Sequence, residues 1–481
     1  MTGPSRKAFS IGALACGVVA GLLPGHPLGL GVGIVAAIVA ATVAAGRPAP
    51  VDFDRGFFGL SAVVLFWSAA LRSAGWVVGL NLLFGFFLGS YAVVGGRSTV
   101  AIVKAGTAAF RSLHVGLLFV ARPLVEGVQR LPAGKVIPVL RAVGLSAALT
   151  AVFGLLFVSA DRAFSHFAGE VLVPEVDISL MPARVYVFAL VAAAVGSLVV
   201  IGPRYAVQPG DPFPQPPRAS VERSSLGKIE WVPVLTSLNA LFGAFVVVQM
   251  TVLFGGRDHV LETTGLTYAQ YARQGFFQLI GVAVLTLLVI AGVVRWADIR
   301  TRRDRMLARL LLGLLCTLTI VILISALKRL NLYESIYGWT RLRLSVHATI
   351  LWLGAVFILV LVAGALWKAS WLPRACLYLT VGFAIAFTAI NPDGVIARQN
   401  VARYLETGRI DVGYLSGLSP DAVPALYRLP ADLRGCLYQK VELRIGSADS
   451  WPGFNLGRSN ARQAIETARA GNRPLCPASG I

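Results

Sequence analysis

The stretch "YGWTRLRLSVHATILWLG", residues 337–354, sets two arginines, a tyrosine, a threonine and a histidine at the mouth of an apolar run. A guanidinium holds phosphate or carboxylate through a planar fork of donors. An imidazole beside it can share a proton or bind a metal. If a helix starts near Thr340, Arg343 and His347 stand at i and i+4 and share a face. Arg341 then points about 200° away. Glu334, Tyr337 and Arg341 align only if the preceding helix runs on through Gly338. Three uses fit: a site for an anionic ligand or lipid headgroup, a buried lock between Glu334 and an arginine, or snorkelling arginines in a Tyr/Trp belt.

Other residues offer weaker chemistry. Asp161 opens a segment, 159–177, that also holds Glu170, Glu175 and Asp177. Membrane glycosyltransferases that use lipid-linked sugars keep a catalytic carboxylate just outside a span, but such residues also balance loop charge. Asn81 and Gln249 fall inside apolar runs, where an amide bonds a neighbouring helix or lines a permeation path. His26, His166, His259 and His347 fall near one face and His114 on the other. The four come from different loops, so no metal is expected. "GVGIVA", 31–36, fits a dinucleotide fingerprint but lies within an apolar run with no strand before it. No P-loop, zinc or metalloprotease motif is present, and no cofactor is expected.

The elements that must position these residues are membrane helices. Hydrophobic residues make up 56% of the 481 and charged residues 14%, with a mean hydropathy of +0.73. A soluble domain carries about 25% charged residues. Runs of about 20 apolar residues cross a bilayer. They are drawn at 9–23, 28–45, 57–71, 75–95, 142–160, 185–202, 231–254, 275–294, 310–326, 346–367 and 375–390. Residues 1–45 read as two retained helices rather than a cleaved signal peptide, since no convincing cleavage site follows the first run. Gly75/Gly79 and Gly85/Gly89 are G-x-x-x-G packing pairs. The stretch 97–138, with basic residues among apolar ones, reads as an amphipathic helix in the interface.

The net charge of +20 sets orientation rather than nucleic-acid binding. With the N-terminus inside, the inner segments hold 23 Lys+Arg and the outer loops 9. "RWADIRTRRDR", 295–305, is the strongest inner segment. The same charge attracts anionic lipid headgroups. The segment 327–345 violates the rule, with four basic residues and one acid on the outer side. The proline-rich 208–220 is a cytoplasmic linker. From Asn391 the composition turns polar, and an eleven-span count puts this tail outside. "NPDGVIARQNVARYLETG" reads as a helix with Asn391 as cap, Pro392 first and Gly408 as stop. "SPDAVPALYRL" begins in the same way, "QKVELRI" reads as a short strand, and "GRSNARQAIETARAG" as a last helix. Cys436 and Cys476 share this tail and are expected to form a disulfide.

"YGWTRLRL" also resembles the signature of a bacterial multi-pass membrane family, domain of unknown function 4173, with its 4153 relatives. "FVSADRAF" (157–164), "EWVPVL" (230–235), "VQMTVLFGG" (248–256), "GLTYAQYARQGFF" (265–277), "NPDGVIARQNVARY" (391–404) and "LSPDAVPAL" (418–426) are similar to it and come in order. The resemblance implies no activity and no catalytic residues. The expectation is an all-α polytopic plasma-membrane protein in three parts: 1–140, 141–390 and 391–481. Its partners would be membrane lipids, envelope components or another membrane protein. It would sense or scaffold the envelope; an enzyme acting on a lipid-linked substrate and a transporter are the alternatives.

Overall fold

Charge-free runs become long helices because, in lipid, a helix is the local structure that satisfies every backbone group. The computed structural model describes residues 3–45, 52–129, 180–205, 227–254 and 276–470. Among these the fold is all-α, with no strand. Eight helices are long and apolar enough to cross a membrane, and two shorter apolar helices, Gly12–Gly21 and Leu30–Ala45, accompany them. Together they account for ten of the eleven expected spans; 142–160 lies outside the described residues. So do the linker 208–220, Asp161 with its acidic neighbours, His166, His259 and Cys476.

The chain forms two compact units. The first comprises Met1–Phe213 with Gly446–Ser459. It holds α1 (Gly3–Gly21), α2 (Leu30–Ala45), α3 (Phe53–Leu71), α4 (Gly75–Val94), α5 (Thr99–Gly106), α6 (Ala108–Arg111), α7 (Leu113–Gln129) and α8 (Met181–Tyr205). Small residues set the crossings. Gly17 of α1 lies against Phe188 and Ala192 of α8, and Gly21 faces the Arg184 carbonyl, so the two helices run antiparallel. Gly85 of α4 faces Phe66 of α3, and Gly89 faces Ala62. Gly75 and Gly79, expected to pack in the same way, meet no other atom within 4 Å among the described residues. In its described part, 97–129, the stretch read as one amphipathic helix is three helices, broken near Thr107 and Ser112. α7 crosses α8 where Gly116 and Gly196 bring the two backbones together, and Ser197 Oγ donates to the Ala109 carbonyl at 3.0 Å. Asn81 is buried in α4 and engaged with a partner, whereas the Gln249 side chain lies outside the described residues.

The segment 446–459 is fastened to this unit. Asn455 Nδ2 donates to the carbonyls of Ala69 and Arg72, at 2.8 Å each. Arg458 Nε reaches both oxygens of Asp449 at 3.0 Å, and its Nη2 donates to the Leu28 carbonyl at 3.1 Å.

The second unit comprises Pro214–Ile445 with Asn460–Ile481. Its apolar helices are α9 (Lys228–Phe254), α10 (Phe276–Trp296), α11 (Arg302–Tyr337), α12 (Arg341–Leu366) and α13 (Leu372–Ala389). Leu323, Leu330, Ile350 and Phe357 pack in the core between α11 and α12. α11 starts on a capping box, in which Thr301 and Asp304 each satisfy the other's backbone. Its 36 residues span about 54 Å, well beyond the ~30 Å hydrocarbon core. The expected loop 327–337 is therefore the continuation of this helix.

The polar tail forms α14 (Pro392–Thr407), α15 (Val412–Ser416), a 3₁₀ helix (Pro420–Arg428), α16 (Ala431–Ile445) and α17 (Leu456–Ala470). α14 has Asn391 as its cap and Gly408, at φ 69°, as its stop. "QKVELRI", read as a strand, is the end of α16. Its alternation is too short to outweigh the helix that packs Leu437, Tyr438 and Val441 on Ile396, Val423 and Ile465. Cys436, in α16, is disulfide-bonded, whereas Cys16, Cys316 and Cys376 are free thiols. Peptide mapping under non-reducing conditions is expected to recover Cys436 linked to Cys476. Opening a bridge across that loop should cost the tail about 4 kcal/mol. Recovery of Cys436 joined to a second chain instead would overturn the pairing.

Candidate functional site

α11 must stop before α12 can turn back, and Gly338 makes the turn. Its φ of 78° and ψ of 175° form a conformation essentially confined to glycine, and its N–H donates to the Glu334 carbonyl at 2.8 Å. Thr340 caps α12 and accepts from Arg343 N. Glu334, Tyr337 and Arg341 therefore do not share one helix face. The break leaves the main chain of Trp339 bare, and Asn400 of α14 covers it. Asn400 Oδ1 accepts from Trp339 N at 2.9 Å, and its Nδ2 donates to the carbonyls of Trp339 at 2.8 Å and Ile396 at 2.9 Å. Arg403 Nε donates to the Ser335 carbonyl at 3.1 Å, and its Nη2 to that of Ile336.

Arg341 faces α14. Its Nε and Nη2 hold both oxygens of Asp393, at 3.0 and 2.6 Å. Its main-chain N–H donates to the Tyr414 hydroxyl at 2.7 Å. Asp393 is fully buried and also accepts from Ser419 N at 2.8 Å. Burial alone would raise the Asp393 carboxyl; the Arg341 fork and the Ser419 N–H outweigh it and hold the group below its ordinary range. Burial pushes the Tyr414 phenol up.

Arg343 turns the other way. Its guanidinium lies 4.2 Å from the Tyr333 ring centre and 6.0 Å from that of Tyr337, and its Nη1 donates to the Gly338 carbonyl. His347 stacks on Trp339 at 5.2 Å. Its Nδ1 meets Glu334 Oε1 at 3.1 Å and its Nε2 meets Asn331 Oδ1 at 2.7 Å.

The arrangement joins helices. The Arg341 fork is filled by the chain's own carboxylate, and Glu334 locks to His347 rather than to an arginine. Asp393, Asn400, Arg403 and Tyr414 complete the site, and none stands out in the sequence as a site residue. A signal exists for two of them. Asp393 and Asn400 stand two turns apart on the face of α14 that buries Ile396 and Ala397. A polar pair on an apolar face demands partners. Among the described residues no three His, Cys, Asp or Glu gather to hold a metal, and His26 pairs with Ser450 at 2.9 Å.

A family model described as a domain of unknown function, DUF4153, matches residues 59–429. The chain belongs to the DUF4153 family. The DUF4153 region runs from within α3 to the end of the 3₁₀ helix, so it contains both sides of the Arg341–Asp393 contact. It leaves out α1, α2 and the disulfide-bonded α16. No curated protein and no solved structure matches the chain.

Proposed function

We propose that this DUF4153 protein is a plasma-membrane sensor or scaffold of envelope components, with the tail outside the cell and latched to the membrane helices. The latch is the single observation that carries this. Arg341, the residue best suited to capture an anionic substrate, instead binds the buried Asp393 bidentately. A filled fork suits coupling between a tail and its helices better than turnover. The orientation draws support from the turns the tail touches. Within the second unit, residues 338–341 meet α14; within the first, residues 28–30 and 69–72 meet 446–459. All three turns fall on the outer side by the charge count. The likeness of "YGWTRLRL" to the 4173 group is kept here as a proposed kinship.

A reporter active only in an oxidising exterior should work when fused after Ile481; activity of a cytoplasm-only reporter there would sink the orientation. For the role, a photoreactive residue at the exposed Tyr427 or Leu443 should capture an envelope component in cells. Capture should fall when Arg341 is changed to alanine. Adducts indifferent to that change would remove the coupling from the proposal.

A further inference from the structure

The first unit holds a half-open cavity of about 730 Å³ that neither the family match nor the latch explains. α1, α2, α3, α4 and α8 wall it. Its lining on α2 runs from Val32 to Ala44, about 18 Å along the helix axis. Between those ends the wall is built of valine, alanine, glycine, leucine and phenylalanine. The shape is a long apolar slot within the size range of small-molecule sites. Its ends differ. One is closed by the turn between α1 and α2, where His26 is already bonded to Ser450. At the other end stands Arg55, half-buried at the start of α3. Among the described residues its guanidinium has one partner, the Val94 carbonyl at 3.3 Å, and no carboxylate pairs with it. A cation at the end of a hydrocarbon-lined slot complements an anionic head on an apolar chain.

We propose that this slot binds an anionic membrane lipid, with an acyl or prenyl chain along α2 and the phosphate at Arg55. This site is independent of the latch and of the role proposed for the tail. The Arg55 guanidinium supplies the donors for the phosphate oxygens, and the valines and alanines of α2 form the apolar wall a chain would lie along. Apart from Arg55 and His26, which is bonded to Ser450, the lining side chains are apolar and offer a sugar, nucleotide or peptide no polar partner.

The test uses the full chain in nanodiscs with phosphatidylglycerol or phosphatidylcholine carrying a diazirine near the end of one acyl chain. Photolabelled peptides are mapped by mass spectrometry. The phosphatidylglycerol probe should label α2 and α3 at slot positions such as Ala36, Val39 and Val63, and unlabelled phosphatidylglycerol should displace it. Filling the slot with Ala36→Trp and Val39→Trp should cut this labelling at least fivefold. Arg55→Gln should keep the labelling but remove the preference for phosphatidylglycerol over phosphatidylcholine. Displacement in the unaltered protein is read whether or not the tryptophan variant folds. Labels spread evenly over lipid-facing helix surfaces, or not displaced, overturn the proposal. So does absence of labelling with residues 142–160 of the chain crosslinked into the slot.

Discussion

Changing Arg341 to alanine will destabilise the tail by about 3–5 kcal/mol, because it strands a fully buried carboxylate. Asp393→Ala should cost less. The Arg341 side chain is 38% exposed and can turn to water once its partner is gone, whereas Asp393 at 0% cannot. The asymmetry is the test, read by hydrogen exchange over 392–407 and by denaturant unfolding in detergent. Equal losses would mean that packing, not the charge pair, holds α14. Acid should act on the same bond. The Asp393 carboxyl sits below its reference value of 3.8, so its contribution is complete above that pH and is lost as pH falls through the folded value. The latch should hold at neutral and mildly acidic pH and release in strong acid. Asp393→Asn should flatten that dependence.

Gly338→Ala should be nearly as damaging. A side chain at φ 78°, ψ 175° costs about 1–3 kcal/mol, and the new Cβ would stand 2.5 Å from Asn400 Oδ1 and 3.1 Å from Arg403 Nη1. Displacing Asn400 leaves the Trp339 main chain unpaired, worth about 1–3 kcal/mol more. Asn400→Ala supplies the control, because it removes the side chain that the new Cβ would strike. If Gly338→Ala costs as much in thermal unfolding on the Asn400→Ala background as on the unaltered chain, displacement of the Asn400 clasp contributes nothing.

The membrane class was legible because a water-soluble fold does not carry run after run of span length without a charge. Helix ends were legible where one residue dictates the backbone, as at Asn391, Thr340 and Gly408. The partner of Arg341 was not. It lies 52 residues on, in another helix, and periodicity cannot report which polar face meets which. Glu334 is the acid nearest the arginines in sequence, yet it meets His347, which the hairpin folds back beside it. The breaks within 97–129 were hidden for a related reason: a continuous amphipathic pattern runs across Ser112, and across Thr107 with the glycine, Gly106, before it.

α11 is a rod about 54 Å long with the latch beside one end and a capping box at the other. A rod turns angle into distance. Membrane helices adjust their tilt to bilayer thickness, over a range of tens of degrees. A change of about 10° moves one end of such a rod by about 9 Å relative to the other. Because Asn400, Arg403 and Asp393 grip the residues at that end, α14 travels with it rather than sliding over it. Any tilt of α11 that moves this end therefore moves α14 with it.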